Sequence, residues 1–173
     1  MPDYAVIGNP VEHSLSPRIH RLFSESTGCL LDYTAIRAPL SDFRHAILDF
    51  KSRGGAGCNI TTPFKGQAFS LATMASPQAA IAKAANCLKF DEGHILAENF
   101  DGQGLLDDLT KRHQEDLSGK RILILGAGGA VRGVLFSLLS AGPNEIIIAN
   151  RTLETAKALV KAMPVFSKTL LRA

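Results

Sequence analysis

Short apolar runs alternate along this chain with stretches of helical period, and polar turns separate them. Tyr4-Ala5-Val6-Ile7-Gly8 reads as a strand that stops at a Gly-Asn-Pro turn. After a polar loop, Ser16-Pro17 opens a helix from Arg18 to Ser26 that ends at Gly28. Serine can cap the free backbone N–H groups there, and proline at the first helical position loses no hydrogen bond. Leu31 to Arg37 is a second strand. Ser41 caps a second helix, in which Phe43, Ala46, Ile47 and Phe50 keep the helical period until Gly54-Gly55. Gly57 to Thr61 gives a third strand and Pro63-Phe64-Lys65 a new helix start. Asn86 to Phe90 and His94 to Glu98 are two strands joined by Asp91-Glu92-Gly93. Asp101 begins a helix that reaches Arg112.

A second pattern starts at Arg121. Arg121 to Leu125 is a short apolar run suited to a buried parallel strand, followed by Gly126-Ala127-Gly128-Gly129-Ala130 and a helix over Val131 to Ser140. Glu145 to Ala149 is a further strand, ending at Asn150-Arg151-Thr152, and Glu154 to Met163 is a last amphipathic helix before a short tail. The division between the two patterns is expected within residues 102–120, where charges cluster and Ser118-Gly119 interrupts.

Composition narrows the function classes. In 173 residues, 46% hydrophobic and 20% charged, a globular core can form, and the net charge of +3 is scattered with no basic run to track a phosphate backbone. Nucleic acid and membrane are therefore not expected as partners, and the absence of a signal-like leader after Met1-Pro2-Asp3 points to a cytoplasmic location. Cys29, Cys58 and Cys87 are odd in number, widely spaced and without paired ligands, so they read as buried thiols, with no disulfide framework and no metal site.

Candidate chemistry lies in both patterns. A glycine turn between strand and helix lets the backbone approach a pyrophosphate, and the helix start favours its charge. Gly126 and Gly128 fit that role, although Val131 stands where the third glycine of the dinucleotide fingerprint would fall. At the end of the next strand, where an NAD site carries an acidic residue, this chain has Asn150-Arg151-Thr152. An arginine there suits a 2′-phosphate, so NADP is expected as cofactor, with Arg151 its partner. In the first pattern, Ser14 and Ser16 share a polar loop, and Asn59 and Thr61 alternate on one strand and so face one side. Lys65 follows one helical turn on, Asn86 is an amide in an apolar stretch, and Asp101 starts a helix. Each also has a structural reading: Ser16 and Asp101 as helix caps, Asn59 and Thr61 as turn partners, Lys65 as a solvated charge.

Taken together these segments resemble the shikimate dehydrogenase family. The resemblance rests on Gly8-Asn9-Pro10 through His13-Ser14-Leu15-Ser16-Pro17, on Asn59-Ile60-Thr61-Thr62-Pro63-Phe64-Lys65 and on Ala85-Asn86. It continues through Asn99 to Gly104, Gly126 to Arg132 and Asn150-Arg151-Thr152. It implies reversible NADPH-dependent reduction of 3-dehydroshikimate to shikimate. It implies that Ser14 and Ser16 bind the carboxylate, that Asn59, Thr61, Asn86 and Asp101 hold ring hydroxyls, and that Lys65 transfers the proton with Asp101 orienting it. The cofactor would be held by Gly126, Ala127, Gly128, Gly129, Ala130, Asn150, Arg151 and Thr152. The chain departs from the family pattern at Phe100 (usually threonine), Lys83 (usually glycine), Ala85 and Cys87 (usually valine and threonine) and Thr155 (often a second arginine).

The expected architecture is α/β: a mixed-sheet substrate-binding domain over residues 1–104, a connecting helix and loop over 105–120, and a partial Rossmann-like domain over 121–173. A doubly wound domain has about six parallel strands, whereas the pattern gives two after residue 120, so a truncated chain, or one completed by a partner such as a second copy in a homodimer, is expected. Apolar surface should then be left uncovered. Two other readings compete: an inactive chain that still binds shikimate, and a quinate/shikimate dehydrogenase that uses NAD.

Overall fold

A computed structural model describes residues 1–164 and 168–173. Its chain divides into two units, Met1–Glu98 and Asn99–Ala173.

The first unit is built on a six-stranded mixed sheet of order β2-β1-β3-β5-β6-β4. Its elements in chain order are β1 (Asp3–Gly8), α1 (Ser16–Thr27), β2 (Asp32–Arg37), α2 (Phe43–Ser52), β3 (Gly55–Ile60), α3 (Lys65–Leu71), β4 (Met74–Ala75), α4 (Pro77–Ala82), β5 (Cys87–Asp91) and β6 (His94–Glu98). β1 runs parallel to both β2 and β3, the hairpin β5–β6 turns the sheet antiparallel, and β4 pairs parallel with β6. Ile7, Ile47, Phe43, Phe64 and Leu88 form the centre of the core, where the Phe43 and Phe64 rings stack 4.6 Å apart. Gly57 lies where β3 meets β5, and a Cβ there would stand 2.7 Å from the Leu88 carbonyl oxygen, so a side chain would force the strands apart.

The second unit contains α5 (Asp101–Asp107), a π-helical turn (Asp108–Arg112), β7 (Arg121–Leu125), α6 (Gly129–Ser140), β8 (Glu145–Ala149), α7 (Leu153–Ala162) and β9 (Leu170–Arg172). Its three strands are all parallel, in the order β7-β8-β9. Glu145 on the middle strand accepts from Arg121 Nε at 2.9 Å on one side and pairs with Arg172 Nη2 at 3.1 Å on the other. α5 closes on α6 at Gly102, whose missing Cβ leaves room for the Ser137 hydroxyl and the Gly133 carbonyl.

Several sequence expectations need correction. Ser16 does not cap α1: it is the first helical residue, the cap position is Leu15, and no side chain caps the helix. Ser41 likewise yields to Asp42, and Phe100 rather than Asp101 holds the cap position of α5. A short β4 and the six-residue α4 were not anticipated, and the helix from Asp101 widens into a π turn after Asp107. Three strands, not two, follow residue 120, because the three-residue β9 is too short to show a period. Cys29 is exposed and Cys87 half-buried, leaving only Cys58 as a buried thiol. Large apolar side chains stand uncovered on α1, which buries no residue, and on β7, where Leu123 and Leu125 are 62% and 78% exposed.

Two outcomes follow from this packing. Lys83 caps α4 in the left-handed region at φ 48°, a conformation that costs a side-chain-bearing residue about 1–2 kcal/mol. Lys83→Gly should stabilise the first unit by about 1 kcal/mol in denaturant unfolding. Burial raises the Cys58 and Cys87 thiols above their ordinary 9.0 and the Tyr33 phenol above 10.0. On unfolding these groups ionise at their ordinary values, so the folded state binds more protons in alkali and stability falls as pH rises above about 9. Urea midpoints should show this decline, shallower in Cys58→Ala, and a thiol reagent should label Cys29 in the folded chain but Cys58 only after unfolding.

Candidate functional site

The parallel pairing of β1 with β3 ends with Ile7 opposite Ile60, so both strands finish at the same edge of the sheet. Beyond it, Thr61 N–H donates to the Ile7 carbonyl at 3.0 Å and Asn9 N–H to the Thr62 carbonyl at 3.0 Å, holding the two following loops together. The peptide bonds Asn9-Pro10 and Thr62-Pro63 in these loops are both cis. β5 starts at this edge too, because Ile60 N–H donates to the Asn86 carbonyl at 2.8 Å, and Ala85 N–H to the Lys65 carbonyl at 2.8 Å. Ser14, Ser16, Asn59, Thr61, Lys65 and Asn86 are thereby gathered at one end of one sheet, from four stretches of chain. Gly8 contributes by absence: a Cβ there would collide with the Thr61 methyl group.

Side chains extend the connection. Ser14 Oγ donates to Ser16 Oγ at 3.2 Å, the Ser16 hydroxyl lies near enough to the Tyr33 phenol to favour its ionised form, and Tyr33 Oη donates to Asn59 Oδ1 at 2.6 Å. Asn59 Nδ2 in turn faces the Asn86 carbonyl at 3.5 Å. Sequence reasoning missed Tyr33 and His20, whose rings stack 4.0 Å apart and within 6° of parallel. The available signal was weak: a half-buried tyrosine between exposed neighbours in β2. Desolvation drives the Tyr33 phenol well above its ordinary value and His20 below its own, so the first keeps its proton and the second stays neutral near pH 7.

Asp101 belongs to the second unit. It is the first residue of α5, and its N–H donates to Oδ1 of the buried Asn99 at 3.1 Å. In the same unit, β7 and β8 end level, and Gly126 N–H donates to the Ala149 carbonyl at 2.7 Å. Gly126 has φ +109°, which favours glycine. Among the described residues, and apart from the turn's own neighbouring atoms, nothing lies within 4 Å of where a Cβ would stand on Gly126, Gly128 or Gly129, so the backbone entering α6 is open to a ligand. Ala127 is buried under the turn, while Ala130 is exposed in the first turn of the helix. Across from this turn, Asn150 Nδ2 donates to the Thr152 carbonyl at 2.8 Å, which shapes the loop that carries the exposed Arg151. Arg151 has no ion-pair partner among the described residues. Open N–H groups at a helix start beside an uncommitted guanidinium fit the phosphates of a dinucleotide.

Two family models match the chain, the shikimate dehydrogenase substrate binding domain over residues 6–88 and shikimate / quinate 5-dehydrogenase over residues 108–172. A shikimate dehydrogenase (NADP(+)) of Alkalilimnicola ehrlichii is 51% identical over 158 residues, which is 91% of this chain and 58% of the relative. An Ael1 enzyme from Pseudomonas putida has the same fold at a TM-score of 0.93 and 49% identity, over 99% of this chain and 64% of that one. A shikimate 5-dehydrogenase from Thermus thermophilus, solved in complex with NADP(H) and shikimate, matches at a TM-score of 0.88 and 35% identity, over 100% of this chain and 63% of that one. The chain thus spans less than two thirds of the length of each of these relatives. Matched in both units by models of one family, this chain belongs to the shikimate dehydrogenase family.

Proposed function

We propose that this chain carries the substrate-binding unit and the phosphate-binding part of the cofactor unit of an NADP-dependent shikimate dehydrogenase, which reduces 3-dehydroshikimate reversibly to shikimate. The observation that carries the reading is the polar line Ser14–Ser16–Tyr33–Asn59–Asn86 at the end of β1 and β3, with Thr61 and Lys65 beside it. A substrate with a carboxylate and several ring hydroxyls needs several fixed polar partners, because a site built for hydroxyls penalises an analogue that leaves them unpaired. With substrate bound, the Ser14 and Ser16 hydroxyls turn from one another to donate to the carboxylate. Asn59, Thr61, Asn86 and Asp101 hold ring hydroxyls.

NADPH, when bound, supplies the hydride. As the carbonyl carbon is reduced, negative charge builds on its oxygen, and the Lys65 ammonium stabilises that charge and delivers a proton to it, with Asp101 orienting the amine. In the reverse direction Lys65 takes the hydroxyl proton. Gly126 to Ala130 present backbone N–H groups to the pyrophosphate, Asn150 and Thr152 shape the adjoining loop, and Arg151 pairs with the 2′-phosphate.

Shikimate-dependent reduction of NADP by the purified chain tests the activity directly, and its absence would leave the reading to stand or fall on shikimate binding. Lys65→Ala should lower turnover by a factor on the order of 10²–10⁴, the contribution of a positioned general acid, while shikimate affinity changes only a few-fold. Unimpaired turnover in that variant would remove Lys65 from the chemistry. Arg151→Ala should weaken NADP binding by about 10- to 100-fold, as expected for lost charge-assisted hydrogen bonds, and leave NAD binding unchanged. Equal loss for both nucleotides would refute the assignment to the 2′-phosphate.

A further inference from the structure

We infer that Tyr33 is a positioning residue of the substrate site: it fixes the side-chain amide of Asn59 so that its NH₂ group, and not its oxygen, is offered to a ring hydroxyl. The inference rests on the shikimate-binding reading of Asn59 given above.

An asparagine amide can sit in either of two orientations that exchange oxygen for NH₂. Asn59 has two neighbours at the site, the backbone carbonyl of Asn86 and the hydroxyl of Tyr33. A carbonyl only accepts, so it must face Nδ2, at 3.5 Å, and Oδ1 then falls to Tyr33 Oη at 2.6 Å. Tyr33 is suited to donating there, since the phenol is half-buried and holds its proton far into alkali. Its ring is not free to swing away. His20 stacks on it face to face at 4.0 Å, and Phe23 meets the His20 ring edge-on at 5.8 Å. With Oδ1 committed to Tyr33 and one proton of Nδ2 directed at Asn86, the second proton of Nδ2 is what Asn59 has to offer a ligand. The Asn86 carbonyl and the phenol together thus determine that Asn59 acts as a donor, with the phenol holding Oδ1. The same hydroxyl lies near Ser16, so Tyr33 also stands between the carboxylate-binding serines and the hydroxyl-binding asparagine.

Tyr33→Phe tests this cleanly, because it keeps the ring and its stacking on His20 and deletes only the hydroxyl. Two readouts are needed on the full chain: the side-chain NH₂ signals of Asn59 in an ¹⁵N-labelled sample, assigned by their loss in Asn59→Ala, and shikimate affinity by calorimetry. We expect Tyr33→Phe to shift the Asn59 signals and to weaken shikimate binding about tenfold, the worth of one hydrogen bond. In an Asn59→Ala background the same change should have no further effect, because a residue that acts through Asn59 has nothing left to act on. Unmoved Asn59 signals, or an equal loss of affinity in the Asn59→Ala background, would overturn the positioning role. Shifted signals in a chain that binds no shikimate would uphold the positioning and overturn the substrate reading on which it rests.

Discussion

The candidate residues of the first unit all hang on the parallel register of β1 and β3, which finishes with Ile7 opposite Ile60. Parallel strands lie side by side in the same sense, so the loops that leave them emerge on one edge. Here that edge collects a serine loop, the end of β3, the start of α3 and the entry to β5, and backbone hydrogen bonds at Asn9, Thr61, Ile60 and Ala85 bind the four together. The antiparallel hairpin that follows β3 is what returns Asn86 to the same place. A sheet with every strand parallel would have carried the start of β5 to the opposite edge. The mixed topology is thus a condition for the site, and the buried aromatic pair Phe43–Phe64 beneath it keeps the platform stiff.

Much of this was legible in the chain itself, for identifiable reasons. His94–Glu98 and Glu145–Ala149 form strands where their apolar alternation or apolar run places them, since in each the local pattern and the burial agree, whereas Arg121–Leu125 forms its strand with Leu123 and Leu125 exposed, against the burial that its apolar run predicts. The polar candidates of the first unit came to light because the segments around them resemble those of the family. Capping was less legible. Ser16-Pro17 and Ser76-Pro77 are the same dipeptide at two helix starts, yet Ser76 accepts from Ala79 N–H at 3.2 Å as a cap should, while Ser16 is turned to Ser14 and Tyr33. One local difference is that Ser14 stands two residues before Ser16, where Met74 stands before Ser76. Tyr33 is near Ser16 only because the fold brings it there.

Tyr33 shows the same limit more sharply. Its partner Asn59 is 26 residues away, and its stacking partner His20 lies on another element. Periodicity reports which face of a strand is buried, and it says nothing about which hydroxyl meets which amide. Lys83 is an instructive middle case. The family habit of glycine at that position marks it as unusual before any coordinates are seen, and the left-handed backbone at φ 48° supplies the reason.

One carboxylate in the second unit reaches further than its place suggests. The strands β7, β8 and β9 meet largely through isoleucines and leucines, which pack almost as well after a slide of two positions, so their apolar pattern alone is a poor gauge of alignment. Glu145, held between Arg121 and Arg172, acts as a vernier mark for both interfaces at once. It sits where the strands begin, but what it aligns is where they finish: with Leu125 level with Ala149, the glycine turn and the Asn150-Arg151-Thr152 loop stand at equal height. The level of the glycine turn with the proposed arginine loop is thus tied, through the register of the strands, to a carboxylate at the far end of the sheet.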